Sequence, residues 1–425
     1  MATCQTTDGH ATHTGDAGLA RHGTIPLFAL AAGTAVANVY FAQPLLATLA
    51  QDFGIGQAAA GAMVTATQLG YGLGLFLLVP LGDVLDRRTL VTRQSLLLAA
   101  ALAALGTAPH APVLFASAAA VGFLAVVTQS LVAYAAALSA PDRRGRVVGQ
   151  VTSGIVLGIL LARTVSGLLA DLAGWRAVYL ASATAMLLLT VALRRALPRR
   201  PVAPRRPRYR DLLRSTVTLF VREPLLRTRG VLALLVFASF STLWSCVALP
   251  LSAPPLSLTH TAIGAFGLVG AAGAAVAAPA GRLHDRGLGE RTTGGALLLL
   301  AISWIPLALT QRSLWALALG AILLDLAVQA VHVTSQSMIY DRRPDAGSRV
   351  IGGYMIFYSA GSAAGALAST AVYAIAGWGA VCLLGAAFSL LALAVWALSA
   401  RRSRPVSRGC PRHPASGSEG IATED

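Results

Sequence analysis

Two ionisable side chains lie deep inside long apolar segments of this chain. Asp325 is at the midpoint of one segment, and Arg163 lies beyond the middle of another, towards its C-terminal end. A charge at the centre of a bilayer costs about 2.5 to 3.5 kcal/mol on insertion scales, so such residues are rare and are candidates for function. If these segments cross a membrane, Asp325 and Arg163 are the first residues to consider.

Asp325 begins a polar stripe at helical spacing. Gln329, His332 and Gln336 follow it by four, seven and eleven residues, which places all four side chains on one side of an α-helix. Burial favours the protonated form of a carboxyl group, so we expect Asp325 to alternate between a neutral form and a charged form that holds a cation or a donor. The imidazole of His332 titrates near neutral pH and is a candidate proton relay, with a packed neutral histidine as the alternative.

Each of these residues also has a structural alternative. Asp325 could form an ion pair with Arg163 that joins two parts of the molecule. Arg163 could instead attract an anionic group of a ligand. The sequence leaves both alternatives open.

The composition indicates what must position these side chains. The chain has 425 residues, of which 56% are hydrophobic and only 12% are charged, whereas an ordinary soluble domain has about 25% charged residues. A bilayer core about 30 Å thick needs about 20 apolar residues per helix. We predict twelve such spans, numbered in chain order: 25–49, 59–82, 89–108, 112–137, 148–170, 176–195, 230–253, 262–282, 293–310, 314–338, 351–374 and 379–398.

The arginines indicate the orientation of these spans. The net charge is +16, and all 33 basic residues are arginines. Positively charged short loops stay in the cytoplasm, and with the N-terminus inside all arginines but Arg163, Arg176 and Arg312 fall in cytoplasmic segments. The basic excess is therefore a topology signal and gives no support to nucleic-acid binding. It predicts a multi-pass membrane protein with both termini in the cytoplasm.

Internal repeats divide the spans into two halves. Asp83 corresponds to Asp285, and the Gly174-Trp175 pair recurs as Gly377-Trp378 at nearly the same offset. Duplicated halves are common in transporters. The predicted organisation is a cytoplasmic N-terminal tail at 1–24, a six-helix bundle at 25–195, a cytoplasmic central loop at 196–229, a second six-helix bundle at 230–398 and a cytoplasmic C-terminal tail at 399–425. In the central loop, apolar residues at helical spacing from Tyr209 to Phe220 predict either a helix on the membrane surface or an unstructured basic linker.

Short motifs resemble those of the major facilitator superfamily. The segment Gly281-Arg282-Leu283-His284-Asp285-Arg286-Gly287 is similar to the signature that follows the second helix of each half in this family. The first copy keeps Asp83, Arg87 and Arg88 but has Val79 and Asp86 at the glycine positions. The resemblance implies a gating role for these residues, with simple loop capping as the alternative. The predicted gating residues are Asp83, Arg87, Arg88, Gly281, Asp285, Arg286 and Gly287.

The stretch from Asn38 to Leu46 is similar to the first helix of the bacterial drug:proton antiporter branch, whereas span 5 lacks the Gly-Pro pair of that branch. The family resemblance implies an all-α protein of a bacterial inner membrane, with twelve transmembrane helices in two pseudo-symmetric bundles. It also implies that spans 1, 4, 7 and 10 line a central cavity. Asp325 and His332 are then the proton-coupling candidates. The remaining cavity candidates are Asn38, Gln43, Gln129, Tyr134, Arg163, Ser241, Trp244, Gln329 and Gln336, each with an ordinary interhelical hydrogen bond as the alternative.

These features together predict a non-enzymatic transporter. The chain has no HExxH, GxSxG or Walker-type segment, and its four cysteines form no CxxC pair, so we expect no metal, no cofactor and the proton gradient as energy source. The expected function is proton-coupled efflux of small organic compounds by a monomer in the lipid bilayer. An importer of a sugar, nucleoside or organic acid, or a transport-incompetent sensor, is the alternative.

Overall fold

The computed structural model describes residues 24–139, 143–197, 208–342 and 347–402. Every regular element in these ranges is helical. The predicted N-terminal tail except Thr24, most of the C-terminal tail and the first part of the central loop lie outside the described residues. The α-helices are α1 Thr24–Ala37, α2 Leu46–Asp52, α3 Gln57–Leu77, α4 Arg87–Gly106, α5 Ala111–Ala125, α6 Val127–Leu138, α7 Arg144–Ala173, α8 Trp175–Ala196, α9 Tyr209–Arg222, α10 Pro224–Cys246, α11 Ala248–Ser252, α12 His260–Ala265, α13 Ala271–Leu283, α14 Gly289–Ala308, α15 Leu314–Arg342 and α16 Gly347–Arg402.

Nine helical segments in the described ranges are long and apolar enough to cross a membrane. Span 1 falls in two short helices, α1 and α2, and span 8 is divided by a 3-10 turn at Phe266–Gly270. Spans 11 and 12 both fall in one long segment, Val350–Ala400. An all-helical membrane fold is confirmed, and the number of twelve spans stays a prediction.

Two glycines end long helical runs at equivalent places in the two halves. Gly174 separates α7 from α8 with a φ of 81°, and Gly377 breaks α16 with a φ of 70°. Residues other than glycine rarely adopt this left-handed backbone conformation, because their Cβ atom would clash with the backbone. The Ala-Gly-Trp motif found twice in the sequence therefore marks the same sharp turn twice.

Small residues bring the helices of each half close together. An added Cβ on Gly158 of α7 would lie 2.3 Å from the carbonyl oxygen of Gly33 in α1. In the second half, a Cβ on Gly361 of α16 would lie 2.0 Å from the carbonyl oxygen of Leu234 in α10. Close approach of backbones through glycine is typical of membrane helix packing. The two halves, α1–α8 and α10–α16, thus repeat one packing device.

The halves contact each other mainly through α3 with α16 and through α7 with α12. The Ser359 hydroxyl donates to the carbonyl oxygen of Gln68, and the Thr65 hydroxyl donates to that of Ala363 over 3.2 Å. The Thr164 hydroxyl donates to the carbonyl oxygen of Gly264 over 3.0 Å. These bonds hold the halves together towards the end of the bundle where α7 finishes, which we call the closed end.

The second part of the central loop is a helix, α9, at the opposite end. Its Tyr209 hydroxyl donates to the carbonyl oxygen of Leu77 in the first half over 2.7 Å. Its Phe220 ring stacks on Phe357 of the second half with ring centroids 5.4 Å apart. The unstructured alternative is therefore wrong for residues 209–222, and α9 contacts both halves.

Candidate functional site

A cluster of polar and aromatic side chains joins the halves around Arg163. The guanidinium Nε donates to Gln43 Oε1 over 2.6 Å. The guanidinium carbon Cζ lies 4.2 Å from the ring centroid of Trp244 and 5.4 Å from that of Tyr40, both within cation–π range. Arg163 is only 4% exposed, and its Nη2 has no hydrogen-bond partner. We call Gln43, Tyr40, Arg163, Trp244, Asp325 and Tyr358 the central cluster.

Asp325 enters this cluster through Trp244. The indole Nε1 donates to Asp325 Oδ1 over 3.0 Å, so one tryptophan contacts both the cation and the carboxyl group. Asp325 and Arg163 attract each other electrostatically, but they form no ion pair within 4 Å. The direct ion pair considered from the sequence is thus replaced by a contact through the indole.

Two glycines let the backbone of the second half pack closely against the Asp325 carboxyl group and the aliphatic part of the Arg163 side chain. An added Cβ on Gly270 would lie 2.7 Å from Asp325 Oδ2, and one on Gly267 would lie 2.9 Å from the Arg163 side chain. The Tyr40 and Tyr358 hydroxyl groups meet across the halves at 2.6 Å. Tight contact and a buried hydroxyl pair therefore close the bundle at the level of the central cluster.

His332 belongs to a second, neighbouring group. Its Nδ1 is 3.1 Å from the Tyr354 hydroxyl and its Nε2 is 3.1 Å from Gln336 Nε2. Its ring packs edge-on against Phe237 at 5.3 Å. His332 is two turns along α15 from Asp325, which corresponds to about 10 Å of helix rise. The stripe predicted from the sequence is thus divided between two surroundings, and Gln329 between them is partly buried.

The other cavity candidates lie in several places. Asn38 is buried inside the first half, where its Oδ1 accepts from the Ser182 hydroxyl over 2.6 Å. Tyr134 packs edge-on against Phe28 at 5.8 Å. Ser241 is 3.1 Å from Ser245 on its own helix. These three contacts are within one half, which is the arrangement of ordinary interhelical or local bonding.

A cavity of about 760 Å³ lies between the halves at the end opposite the closed end. Gln129 is the only predicted cavity residue among its lining side chains, which include Arg87 and Arg144 from the first half and Tyr340 and Met355 from the second. Its size is in the range of sites for small organic ligands. Arg144 and Tyr340 are exposed, so the cavity opens at the end of the bundle that carries the arginines of the predicted cytoplasmic segments, which we call the arginine-rich end. The lining includes Ile356 of α16 but none of the central-cluster residues, of which Tyr358 lies two residues farther along the same helix.

Asp171 ties the halves together at the closed end. Its Oδ1 is 2.6 Å from His260 Nδ1, and its Oδ2 accepts from the backbone N–H and the hydroxyl of Thr261 over 2.8 and 2.6 Å. The other ring nitrogen of His260 is 2.6 Å from the Thr48 hydroxyl. His260 of the second half is thus held between two side chains of the first half.

The predicted gating residues lie around the start of α4 and around the end of α13, at the arginine-rich end. Arg87 Nη1 donates to the carbonyl oxygen of Ala133 over 2.6 Å, and Arg88 donates to that of Arg194. The two arginines therefore link α4 to α6 and to α8 within the first half. In the second copy Asp285 and Arg286 are exposed, and Gly287 turns the chain with a φ of 77°. The side chain of Asp83 lies outside the described part, and Gly281 has open space around it.

Asp86 gives a physical reason for the departure of the first copy from the signature. It caps α4 by accepting from the backbone N–H of Thr89 over 2.8 Å and from its hydroxyl over 2.6 Å. Partial burial disfavours its charged form, but the hydrogen bonds from Thr89, together with the backbone N–H and the charge of Arg88, outweigh that effect and hold the pKa of Asp86 below its usual range. The residue in place of the glycine is therefore a helix cap.

Sequence reasoning missed several residues of these sites. Tyr40 and Tyr358 give no signal, because a tyrosine carries no charge at neutral pH and does not stand out in an apolar segment. Asp171 and His260 lie at predicted span ends, where a polar residue is ordinary. Arg229, at the predicted start of span 7, is 2% exposed and pairs with Glu290 inside the second half. Of the side chains nominated from the sequence, the structure brings Gln43, Arg163, Trp244 and Asp325 together.

Comparisons with known proteins agree with this architecture. A family model described as Major Facilitator Superfamily matches residues 28–293 and 234–419. An uncharacterized transporter of Escherichia coli O157:H7 is 45% identical, with 88% of this chain and 94% of that protein covered. A probable sugar efflux transporter of Helicobacter pylori is 23% identical, with 82% and 88% covered. The crystal structure of a bacterial homolog of the human lysosomal transporter Spinster, inward-facing and occupied, has a TM-score of 0.72 at 14% identity, with 89% and 96% covered.

Proposed function

Because this chain belongs to the Major Facilitator Superfamily of membrane transporters, we propose that it exports small organic compounds in exchange for protons. The two halves would alternate between a state open to the cytoplasm and a state open to the other side. The alternative is an importer of a sugar, nucleoside or organic acid.

The observation that carries this proposal is the difference between the two ends of the bundle. The halves enclose a cavity of about 760 Å³ at the arginine-rich end and are bonded together at the other end. Arginine-rich ends face the cytoplasm by the positive-inside rule. The arrangement then corresponds to an inward-facing state, in which a ligand enters the cavity from the cytoplasm and would reach the central cluster when the halves separate there.

Asp325 is the residue through which protons would act. It is 7% exposed, and its carboxyl group lies at the contact between the halves. Adding a proton removes its attraction for Arg163 of the other half, so protonation favours separation of the halves at the cluster. One proton that moves down a potential of 100 mV supplies about 2.3 kcal/mol, enough to bias such an equilibrium roughly fiftyfold.

Export is favoured over import by two sequence observations. The stretch from Asn38 to Leu46 resembles the first helix of bacterial exporters. The Helicobacter pylori relative is described as a probable sugar efflux transporter. Neither observation depends on the compound that is carried.

Transport into inverted membrane vesicles with an imposed pH gradient tests this proposal. We expect an acidic vesicle interior to drive accumulation of a compound from a panel of dyes, antibiotics and nucleosides. Asp325→Asn should abolish the response to the gradient, whereas the matched variant Asp211→Asn, at an exposed position of α9, should retain it. Accumulation without any response to pH would favour the passive importer. Full proton-driven transport by Asp325→Asn would assign Asp325 to packing alone.

A further inference from the structure

Arg163 presents a cation that is only partly satisfied. Its Nε is fixed by Gln43, and Nη2 has no acceptor although the side chain is 96% buried. Guanidinium stays charged at any physiological pH and binds carboxylates through its planar fork. Gln43 and Tyr40 belong to the same half as Arg163, so these supports remain when the halves separate. Arg163 would then face the opened space with its Nη groups available.

Asp325 presents the opposite charge on the opposite wall. Its hydrogen-bond donor Trp244 lies in the same half, so Oδ1 stays bonded when the halves separate. Its Oδ2 lies against the backbone of Gly270, which belongs to the same half and carries no side chain. The titratable or charged side chains around the pair are Tyr40 and Tyr358, while His332 is bonded to Tyr354 two turns away. Separation therefore leaves one cation and one carboxylate on facing walls.

The signs of these charges select a ligand class. A cationic ligand that reaches Asp325 is repelled by Arg163, and an anionic ligand that reaches Arg163 is repelled by Asp325. A ligand with one carboxylate and one ammonium group is attracted to both walls and leaves no fixed charge uncompensated. The rings of Tyr40 and Trp244 add an apolar surface for the rest of the molecule.

We propose that the central cluster binds zwitterionic compounds with an apolar body, of the size of an apolar amino acid. The carboxylate binds Arg163 and the ammonium group binds Asp325. This inference rests on the proposed function. A proton and an ammonium group cannot both occupy the Asp325 carboxylate, so their competition for it would exchange one for the other.

Three compounds with one carbon skeleton test the assignment directly. L-phenylalanine has both charges, 2-phenylethylamine lacks the carboxylate and 3-phenylpropanoate lacks the ammonium group. L-leucine, 3-methylbutylamine and 4-methylpentanoate form a second set. Binding of each compound to the purified full chain is measured by calorimetry at neutral pH. We expect at least one zwitterion to bind about tenfold or more tightly than both of its truncated relatives, the effect of losing one charge-assisted hydrogen bond.

Matched variants check that the charges are those of the central cluster. Arg163→Gln should remove the advantage of the zwitterion over the amine, and Asp325→Asn its advantage over the acid. Arg312→Gln and Asp211→Asn, at exposed positions, should leave both advantages unchanged. The comparison of ligands on the unaltered chain remains decisive if a variant fails to fold. Equal binding within both sets, or tighter binding of an amine or acid, overturns the assignment.

The outcome is separable from that of the proposed function. If zwitterions bind but no pH gradient drives their movement, proton exchange is wrong and the ligand class stands. If a gradient drives transport of cationic or neutral compounds while the zwitterions do not bind, the ligand class is wrong and proton exchange stands.

Discussion

Tyr40 and Tyr358 illustrate how single side chains can set the balance between conformations. Their hydroxyl groups are 2.6 Å apart, and the two residues belong to different halves. Each hydroxyl is buried in this state, so each depends on the other for its hydrogen bond. A buried polar group left without a partner costs about 1 to 3 kcal/mol.

We expect Tyr40→Phe and Tyr358→Phe each to open the closed end, because each leaves one buried hydroxyl unsatisfied. The population of the open state should rise about five- to a hundred-and-fiftyfold. The double variant should open it less than the sum of the single effects. Spin-label distances between the loops that precede α3 and α12 measure the two populations. Additive single effects would show that the hydroxyl groups do not interact.

Sequence and structure agree on some of these residues for a physical reason. Asp325 and Arg163 stand out in the sequence, because a charge in an apolar segment is costly wherever it lies. Trp244 was nominated only through the family arrangement of helices, and its role as the contact between both charges depends on the distance between α7 and α15. That distance is a tertiary quantity, and no local pattern in the chain encodes it.

At the scale of helices, glycines determine how closely α1 and α7 pack. Gly158 leaves no space for a methyl group, whereas Gly149 on the same helix has nothing within 4 Å of an added Cβ. The two glycines therefore lie on the same helix, but only Gly158 packs against a neighbouring backbone.

Gly158→Ala should lower the thermal stability of the purified protein by several degrees, because the added Cβ would force α1 and α7 apart. Gly149→Ala is the matched control and should leave stability unchanged or raise it slightly, since alanine favours the helix. Thermal unfolding in detergent measures both effects. Equal stability of the two variants would mean that α1 and α7 shift without cost.

Helices were predictable where hydropathy is continuous and less so where helices break. The helices from α3 to α8 follow the predicted spans closely, because long apolar runs must form helices in a bilayer. Span 1 breaks after Ala37, and the 3-10 turn Gln43–Leu45 contains Pro44, which lacks a backbone N–H. The break that divides span 8 at Phe266–Gly270 packs against α7, and apolar content alone does not predict such a contact.

At the scale of the whole molecule, Asp171 and Asp52 are two carboxylates at the same end with different connections. Asp171 bonds to His260 and Thr261 across the halves. Asp52 accepts from Trp175 Nε1 over 2.6 Å within the first half. Comparing variants at these two positions distinguishes the loss of a carboxylate at this end from the loss of a contact between the halves.

Asp171→Asn should shift the molecule towards the state open at the closed end, because charge-assisted bonds to His260 and Thr261 are weakened. A loss of about 1 to 2 kcal/mol corresponds to a five- to thirtyfold change in population. Asp52→Asn should leave the distribution unchanged. The same spin-label distances measure both. An equal shift in both variants would indicate a general effect of charge at this end.

Trp244 has a consequence for observing the molecule at work. Its indole lies against a guanidinium group and donates to a carboxyl group, and both contacts depend on the position of the halves or the charge of Asp325. Excited indole is sensitive to nearby charges. In a variant in which Trp244 is the only tryptophan, the fluorescence emission of the indole would report each transport cycle without an added dye.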